Sequence, residues 1–96
     1  MQKYQVIIQF DMDDDFMSHV PEHREYINRL IEEGTIDHYA VSMESRHSWI
    51  TVSANDKEEV IRMLSQSPLY KYWTYEINEL FVVDGLHYRL PAVQLN

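Results

Sequence analysis

The stretch PEHREYINRLIEEG, residues 21–34, has the pattern of one amphipathic helix, and the rest of the chain can be interpreted around it. Its first proline and last glycine match the preferences of a helix start and a helix C-terminal cap. Apolar Ile27, Leu30 and Ile31 mark one face of this helix. His23 belongs to the same face, because it precedes Ile27 by four positions. The pattern therefore points an ionisable ring toward the predicted core.

The segments on either side of this helix alternate between strand and helix patterns. Their order, βαββαβ, predicts a ferredoxin-like α+β fold, in which two helices cover one face of a four-stranded antiparallel sheet. Residues 1–84 form this domain, and residues 85–96 are a C-terminal extension that we expect to pack on a neighbouring subunit. The predicted strands are residues 4–10, 36–43, 48–54 and 70–83, and the second helix is residues 55–67. Asn55 and Glu58 are spaced as a capping box at the start of this helix. Its predicted buried stripe consists of Val60, Ile61 and Leu64.

Alternation along the first and third strands separates two faces of the predicted sheet. The outer face is half polar and half large and apolar, and a contiguous apolar patch usually marks an interface. We therefore expect a homodimer that packs sheet on sheet, or a larger homo-oligomer. A solvated sheet face with one exposed tryptophan is the alternative. The helix-facing set is Tyr4, Val6, Ile8, Phe10, Ile50 and Val52, and the outer set is Gln5, Ile7, Gln9, Trp49 and Thr51.

Composition limits the possible partners and the compartment. The 96 residues include 8 basic and 16 acidic ones, for a net charge of −8. Such a balance disfavours nucleic acid and anionic membrane surfaces, which need clustered lysine and arginine. The chain has no cysteine, which excludes disulfide and thiolate chemistry. No apolar run approaches the roughly 18 residues of a membrane span, and no signal-peptide profile opens the chain, so we expect a cytoplasmic protein.

Three motifs resemble those of known families. PLYKYWTYEINEL (68–80) is similar to the last strand of muconolactone isomerases, and RLIEEGTIDH (29–38) to their Arg-Leu-x-x-Glu-Gly-x-x-x-His stretch. HREYINRLIEEG (23–34) resembles the His-x-x-Tyr-aliphatic opening of helix one in YciI-like proteins. Both families belong to the dimeric α+β barrel superfamily. The resemblance implies a small-molecule enzyme that acts by proton transfer without an organic cofactor, and a small-molecule ligand of unknown identity.

The resemblance to muconolactone isomerases singles out His38 and Glu76 as one candidate catalytic pair. Moving a double bond in a lactone requires groups that take and return a proton, and a histidine or a carboxylate can do so. The chain departs from the family pattern at Ile7, where a glutamate is expected, and at Asp37 and Val41, where basic residues are expected. These departures leave open a second function, a non-catalytic ligand-binding or oligomerisation module of the same fold. In that case His38 and Glu76 are ordinary strand residues.

Asp11 and His23 form a second candidate catalytic pair, over the cleft between helix one and the sheet. An aspartate that accepts a hydrogen bond from the imidazole would fix its tautomer and raise its basicity. In YciI-like proteins an aspartate after the first strand often accompanies this histidine. The same pair can instead be a structural lock, because a buried imidazole needs a partner in either case.

The acidic stretch DMDDDFMSHVPE (11–22) superficially fits a calcium loop. Phe16 stands where the obligatory glycine belongs, so a solvated acidic loop is the better interpretation. A site built from His19, His23 and Asp11 is disfavoured by Pro21 between the histidines. We therefore predict no metal.

Aromatic side chains crowd the last predicted strand, at Tyr70, Tyr72, Trp73 and Tyr75. They can form a ligand wall or stack across a subunit interface, and an interface is the simpler interpretation. Gln9, Trp49 and Tyr72 are the candidate ligand-binding residues.

Overall fold

The computed structural model describes residues 1–85, and in these residues four strands form one antiparallel sheet of order β2-β3-β1-β4. Two helices pack on one face of the sheet, which confirms the predicted ferredoxin-like α+β fold. Short 3-10 turns, Phe16–His19 and Tyr70–Tyr72, precede the first helix and the last strand. The elements are β1 (Gln2–Phe10), α1 (Val20–Glu32), β2 (Ile36–Ser42), β3 (His47–Ala54), α2 (Lys57–Ser65) and β4 (Trp73–Leu80).

The core lies between the helices and the inner face of the sheet. All six residues predicted to face the helices are buried. Ile27 and Leu30 of α1 and Val60 and Leu64 of α2 complete the main apolar cluster. Burial of this apolar surface is the main favourable contribution to folding. The outer face of the sheet, which carries Trp49, is covered by no described element.

Helix α1 ends as its sequence predicts. Gly34 has a φ of 82°, in the left-handed region that glycine adopts without steric cost. The Gly34 N–H donates to the Ile31 carbonyl and the Thr35 N–H to the Leu30 carbonyl, which is the Schellman arrangement. Ile31 itself is 43% exposed, so the prediction that it faces the core was wrong. It lies beside the stripe of His23, Ile27 and Leu30, at the margin of the buried face.

Helix α2 is shorter than the predicted 55–67 by two residues at each end, and its N-cap lies one position later than predicted. Asp56 is its N-cap, and the Asp56 carboxylate accepts a hydrogen bond from the Glu59 N–H. Asn55 instead donates from its side chain to the Glu59 carboxylate, so the predicted Asn55–Glu58 box was displaced by one position. Ile61 is 38% exposed and is not part of the buried stripe.

Strand β4 is shorter than the predicted strand 70–83 at both ends. At the start, the turn bonds from Tyr70 N–H to Ser67 O and from Tyr72 N–H to Leu69 O hold the chain in a 3-10 conformation. At the end, Leu80 pairs with Lys3, so β1 offers almost no further partner. Residues 86–96, which hold most of the predicted extension, lie outside the described residues.

A β-bulge near the start of β2 determines which side chains face the helices. Ile36 pairs with Val52 and His38 with Thr51, so one extra residue, Asp37, lies between two successive pairs. Because side chains alternate along a strand, this extra residue reverses the alternation. His38 therefore lies on the outer face, and Tyr39, which pairs with Ile50, lies on the helix face.

No helix within residues 1–85 is long and apolar enough to cross a membrane.

Candidate functional site

A cavity of about 230 Å³ lies on the helix face of the sheet, between α1 and the ends of β1, β2 and β3. We call it the helix-side cavity. A cavity of about 150 Å³ admits benzene, so this one has room for a single ring with a few substituents. Most of its wall is apolar, and includes Phe10, Phe16, Val41, Met43, Leu69 and Trp73. Its polar wall consists of His23, Arg24, Tyr39 and Ser48.

His23 is 2% exposed and uses both ring nitrogens in hydrogen bonds. Nδ1 lies 2.7 Å from Ser67 Oγ, and Nε2 lies 2.8 Å from Tyr39 Oη. The indole of Trp73 meets the ring edge to face, with centroids 5.6 Å apart. The side chain is therefore fixed by α1, by the segment after α2 and by β2 together.

Hydrogen-bond accounting gives the tautomer of His23. Ser67 is buried, and its Oγ already accepts a bond from the Leu69 N–H, a local turn set by Ser-Pro-Leu. Within residues 1–85, His23 Nδ1 is the acceptor that the Ser67 hydroxyl hydrogen can reach. We assign Ser67 as the donor to Nδ1, because this gives its buried hydroxyl hydrogen an acceptor, and in this tautomer Nε2 carries the ring proton and donates to Tyr39 Oη. The hydroxyl hydrogen of Tyr39 is left free to point elsewhere.

Burial keeps both rings in their neutral forms near pH 7. Desolvation, together with a smaller contribution from the charge of the neighbouring Arg24, lowers the pKa of His23 to about 4. Desolvation also raises the pKa of Tyr39, although the charge of Arg24 and the hydroxyl of Ser48 act in the opposite direction. Tyr39 is therefore a protonated phenol that can donate a hydrogen bond.

Two further polar groups lie beside Tyr39. The Arg24 guanidinium carbon is 5.6 Å from the centroid of the Tyr39 ring, a cation–π arrangement. Ser48 on β3 is 5% exposed, and its Oγ makes no hydrogen bond to any described residue. Neither aspartate nor glutamate is among the described residues that line the cavity. The cavity thus combines one cation near its rim with neutral hydroxyl groups inside.

The predicted pairing of Asp11 with His23 was wrong. Asp11 is exposed and its backbone N–H donates to the Tyr72 carbonyl, while both nitrogens of His23 bond to other residues. The physical reason is that the 3-10 turn after Asp11 brings Phe16 and Val20, not a carboxylate, to the cavity wall.

His38 and Glu76 lie on the opposite face of the sheet from His23. His38 is on β2 and pairs with Thr51, while Glu76 is on β4 and pairs with Ile7. Two strands separate β2 from β4, so the two side chains originate roughly 14 Å apart or more. One chain therefore does not bring this pair together.

A second, more open depression of about 250 Å³ lies on the outer face, and we call it the open-face groove. Gln9 and Glu76 line it together with His47, whose ring stacks on Trp49 at 6.0 Å. His47 Nδ1 donates to the Ser45 carbonyl at 2.7 Å, so its neutral form keeps an unprotonated Nε2. Three predicted residues, Gln9, Trp49 and Glu76, thus lie in or beside one groove.

Tyr72 is placed elsewhere, in the turn before β4. Its ring packs edge to face on Phe16, with centroids 5.2 Å apart, and does not line the helix-side cavity. Asp13 accepts hydrogen bonds from the backbone N–H groups of Asp15 and Phe16, which makes the acidic loop a capped turn. Within residues 1–85 no three or more histidine, aspartate or glutamate side chains gather as a metal site.

The residues that surround His23 were not among the predicted site residues. They are Arg24, Tyr39, Ser48 and Ser67. The Ser67 turn has a recognisable signal in Ser-Pro-Leu, and Ser48 occupies a helix-facing position of β3. Tyr39 gives no such signal, because simple alternation from Ile36 places it on the outer face.

The fold and cavity are those of a ferredoxin-like α+β domain, and a solved structure shares this architecture. The chain is similar to crystalline muconolactone isomerase, with 23% identity and a TM-score of 0.67 over 81% of this chain and 86% of that one. At this identity the similarity shows the fold, and it confirms the resemblance to muconolactone isomerase indicated by the motifs. No protein-family model matches the chain, and no curated protein matches its sequence.

Proposed function

We propose that this protein is a small-molecule enzyme of the muconolactone isomerase-like or YciI-like type, which moves protons in the helix-side cavity without an organic cofactor. The observation that carries the proposal is the hydrogen-bond chain from Ser67 through His23 to Tyr39, which ends at a protonated phenol in an apolar cavity. Polar groups converging in an apolar pocket are typical of small-molecule sites.

Tyr39 is the proposed catalytic acid and base. It gives its proton to one ligand atom and takes a proton back from another, so the residue ends as it began and the ligand is isomerised. The Nε2–H of His23 donates to the phenolate oxygen formed in between, and the Arg24 guanidinium over the ring stabilises the negative charge. His23 is then a positioning residue, held in its tautomer by Ser67.

A second candidate function is a non-catalytic ligand-binding module. The observation that favours it is the lack of any carboxylate among the described cavity residues, together with a histidine that burial keeps neutral. Such a site has room for a ligand, but the Tyr39 hydroxyl is the group placed to transfer a proton.

We also propose that the chain forms a homodimer through the outer face of its sheet. Ile7 and Trp49 are only half-buried there in a single chain, in the middle of the sheet. A second copy of this face would remove them from water.

Deuterium incorporation distinguishes the two functions. A panel of single-ring compounds with acidic C–H bonds is incubated with the protein in D₂O, and exchange at carbon is followed by NMR. Tyr39→Phe should slow exchange by about 100-fold or more, the usual range for losing an acid–base group. Tyr70→Phe is the matched control, because the Tyr70 hydroxyl bonds Tyr75 outside the cavity. Compounds that bind without exchanging would contradict the enzyme and leave the binding module. Exchange that Tyr39→Phe leaves unaffected would contradict the role proposed for Tyr39.

A further inference from the structure

Ser48 is a buried hydroxyl for which the described residues provide no hydrogen-bond partner. It lies on β3 opposite Val41, is 5% exposed and lines the helix-side cavity. Its Oγ forms no hydrogen bond within residues 1–85. Because an unpaired buried hydroxyl is costly, a native protein rarely keeps one without a reason.

Tyr39 presents a second unused donor next to Ser48. Its oxygen accepts the Nε2–H of His23, and its own hydrogen therefore points away from that ring. The Ser48 hydroxyl is close enough to favour the ionised form of the phenol, yet the two do not form a hydrogen bond of good geometry. Two hydroxyl groups thus lie side by side on one wall of an otherwise apolar cavity, without a well-formed hydrogen bond between them.

We infer that Tyr39 and Ser48 together bind one ligand oxygen, that of a carbonyl or of the enol formed when Tyr39 protonates it and takes back a proton from the neighbouring carbon, on a molecule of about one ring. The inference rests on the proposed function, because it names the substrate class of the same cavity. Two donors that converge on one point favour an atom with two lone pairs, such as a carbonyl oxygen, over an amine nitrogen, which has at most one.

Charge and size narrow the ligand further. The interior of the cavity offers hydroxyl groups and apolar walls, and Arg24, the one cation among its described lining residues, has an exposed side chain. A fully charged group carried into such an interior pays a large desolvation cost, whereas a neutral carbonyl does not. The cavity volume of about 230 Å³ limits the ligand to roughly one ring and small substituents.

Cyclohexanone is a suitable probe, because its binding requires no proton transfer. The carbonyl stretch of the bound ketone, labelled with ¹³C at the carbonyl carbon, is measured by isotope-edited infrared spectroscopy. Affinities for cyclohexanone and for methylenecyclohexane, which replaces the oxygen by CH₂, are measured in parallel. The variants are Ser48→Ala and Tyr39→Phe, and the matched controls are Ser65→Ala on the exposed side of α2 and Tyr70→Phe.

The wild-type protein should lower the carbonyl stretch relative to its value in an alkane, and each cavity variant should reverse part of this shift. Ser48→Ala should weaken cyclohexanone binding about fivefold, the usual effect of one neutral hydrogen bond, and leave methylenecyclohexane binding unchanged. The controls should behave as wild type. A merely structural Ser48 would alter the melting temperature of the variant without altering the carbonyl stretch.

Two results would overturn the inference. One is equal affinity for the ketone and its methylene analogue, or binding of neither. The other is a carbonyl stretch that Ser48→Ala leaves unchanged, which would mean that the hydroxyl groups hold water instead. Failure here is distinguishable from failure of the proposed function. If the carbonyl stretch of the bound ketone is lowered but no deuterium exchange occurs, the protein is a carbonyl-binding module and not an enzyme. If exchange depends on Tyr39 but the carbonyl stretch is not lowered, only the proposed binding of the carbonyl oxygen by Tyr39 and Ser48 is overturned.

Discussion

The helix-side cavity and the open-face groove have similar volumes, about 230 and 250 Å³, but their polar groups differ in burial, hydrogen bonding and charge. Each contains one histidine beside an aromatic ring. His23 in the cavity is buried and uses both nitrogens, whereas His47 in the groove is half-buried and uses only Nδ1, toward the Ser45 carbonyl. The groove also contains the exposed carboxylate of Glu76, and the cavity contains none among its described lining residues.

The difference shows that volume and residue type alone do not identify the site. In the cavity, burial and a hydrogen-bond chain fix the rings of His23 and Tyr39 in their neutral forms and in one orientation, which is the preorganisation that catalysis needs. In the groove, water competes for each group, and a second subunit could cover the same surface.

Removing the ring of His23 should destabilise the protein far more than removing that of His38. His23→Ala leaves the Ser67 hydroxyl without its acceptor and opens a void beside Trp73. We expect a loss of about 3 kcal/mol in the free energy of unfolding, measured by urea titration. His38→Ala, on the exposed outer face, should change it by less than about 0.5 kcal/mol. Similar losses in the free energy of unfolding for both variants would contradict the proposed difference between the buried His23 and the exposed His38.

Acid should destabilise the protein through His23. The pKa of this ring is about 4 in the folded protein, against 6.5 for an exposed histidine, so the unfolded chain binds more protons between these values. The stability that His23 contributes is complete above pH 6.5 and is lost as the pH falls toward 4, by about 2 to 3 kcal/mol.

Carboxylates also titrate in this pH range, so the contribution of His23 is obtained by comparing the pH dependence of stability in two proteins. Urea titrations from pH 7 to pH 4 compare the wild type with His23→Gln, which keeps hydrogen-bonding groups but does not titrate. The wild type should lose more stability than the variant, and parallel pH profiles would show that His23 is not held neutral by the fold.

Truncating Trp49 should weaken the proposed homodimer. Trp49 lies near the middle of the outer face, next to Ile7 on the neighbouring strand. At a dimer interface Trp49→Ser should cost about 2 kcal/mol, or roughly 30-fold in the dissociation constant, as measured by concentration-dependent light scattering. A wild-type chain that remains monomeric at high concentration would contradict the dimer itself.

Neutralising Glu76 should have the smallest effect on cavity chemistry. Glu76→Gln changes the open-face groove, on the opposite side of the sheet from Tyr39. We expect deuterium exchange and cyclohexanone affinity within about twofold of wild type, since a surface substitution away from the site has little effect. A large loss of deuterium exchange would indicate that the active site lies in the open-face groove and not in the helix-side cavity.

Local patterns predicted the fold well, because each element carries its own signal. Alternation assigned both faces of β1 correctly, and Gly34 marked the end of α1. Spacing along α1 also predicted that His23 faces inward, and its 2% exposure confirms this. These features depend on residues only a few positions apart.

The partners of His23 depend on tertiary structure and were not predictable in the same way. Ser67 is 44 positions away and reaches Nδ1 only when α2 packs beside α1. Tyr39 faces the cavity because the bulge at Asp37 reverses the alternation of side chains along β2. The local sequence contains no residue that predicts this bulge. The aspartate expected to pair with His23 was the nearest acidic residue after β1, but it is exposed.

The tautomer and the pKa of His23 test the central claim most directly. A long-range ¹H–¹⁵N correlation spectrum of the ring, recorded from pH 8 to pH 4, gives both. We expect a neutral ring protonated at Nε2, unchanged until the pH approaches 4, so that the Tyr39 hydroxyl hydrogen faces the cavity. A ring protonated at Nδ1, or one that titrates near pH 6.5, would contradict the hydrogen-bond chain and the role proposed for Tyr39.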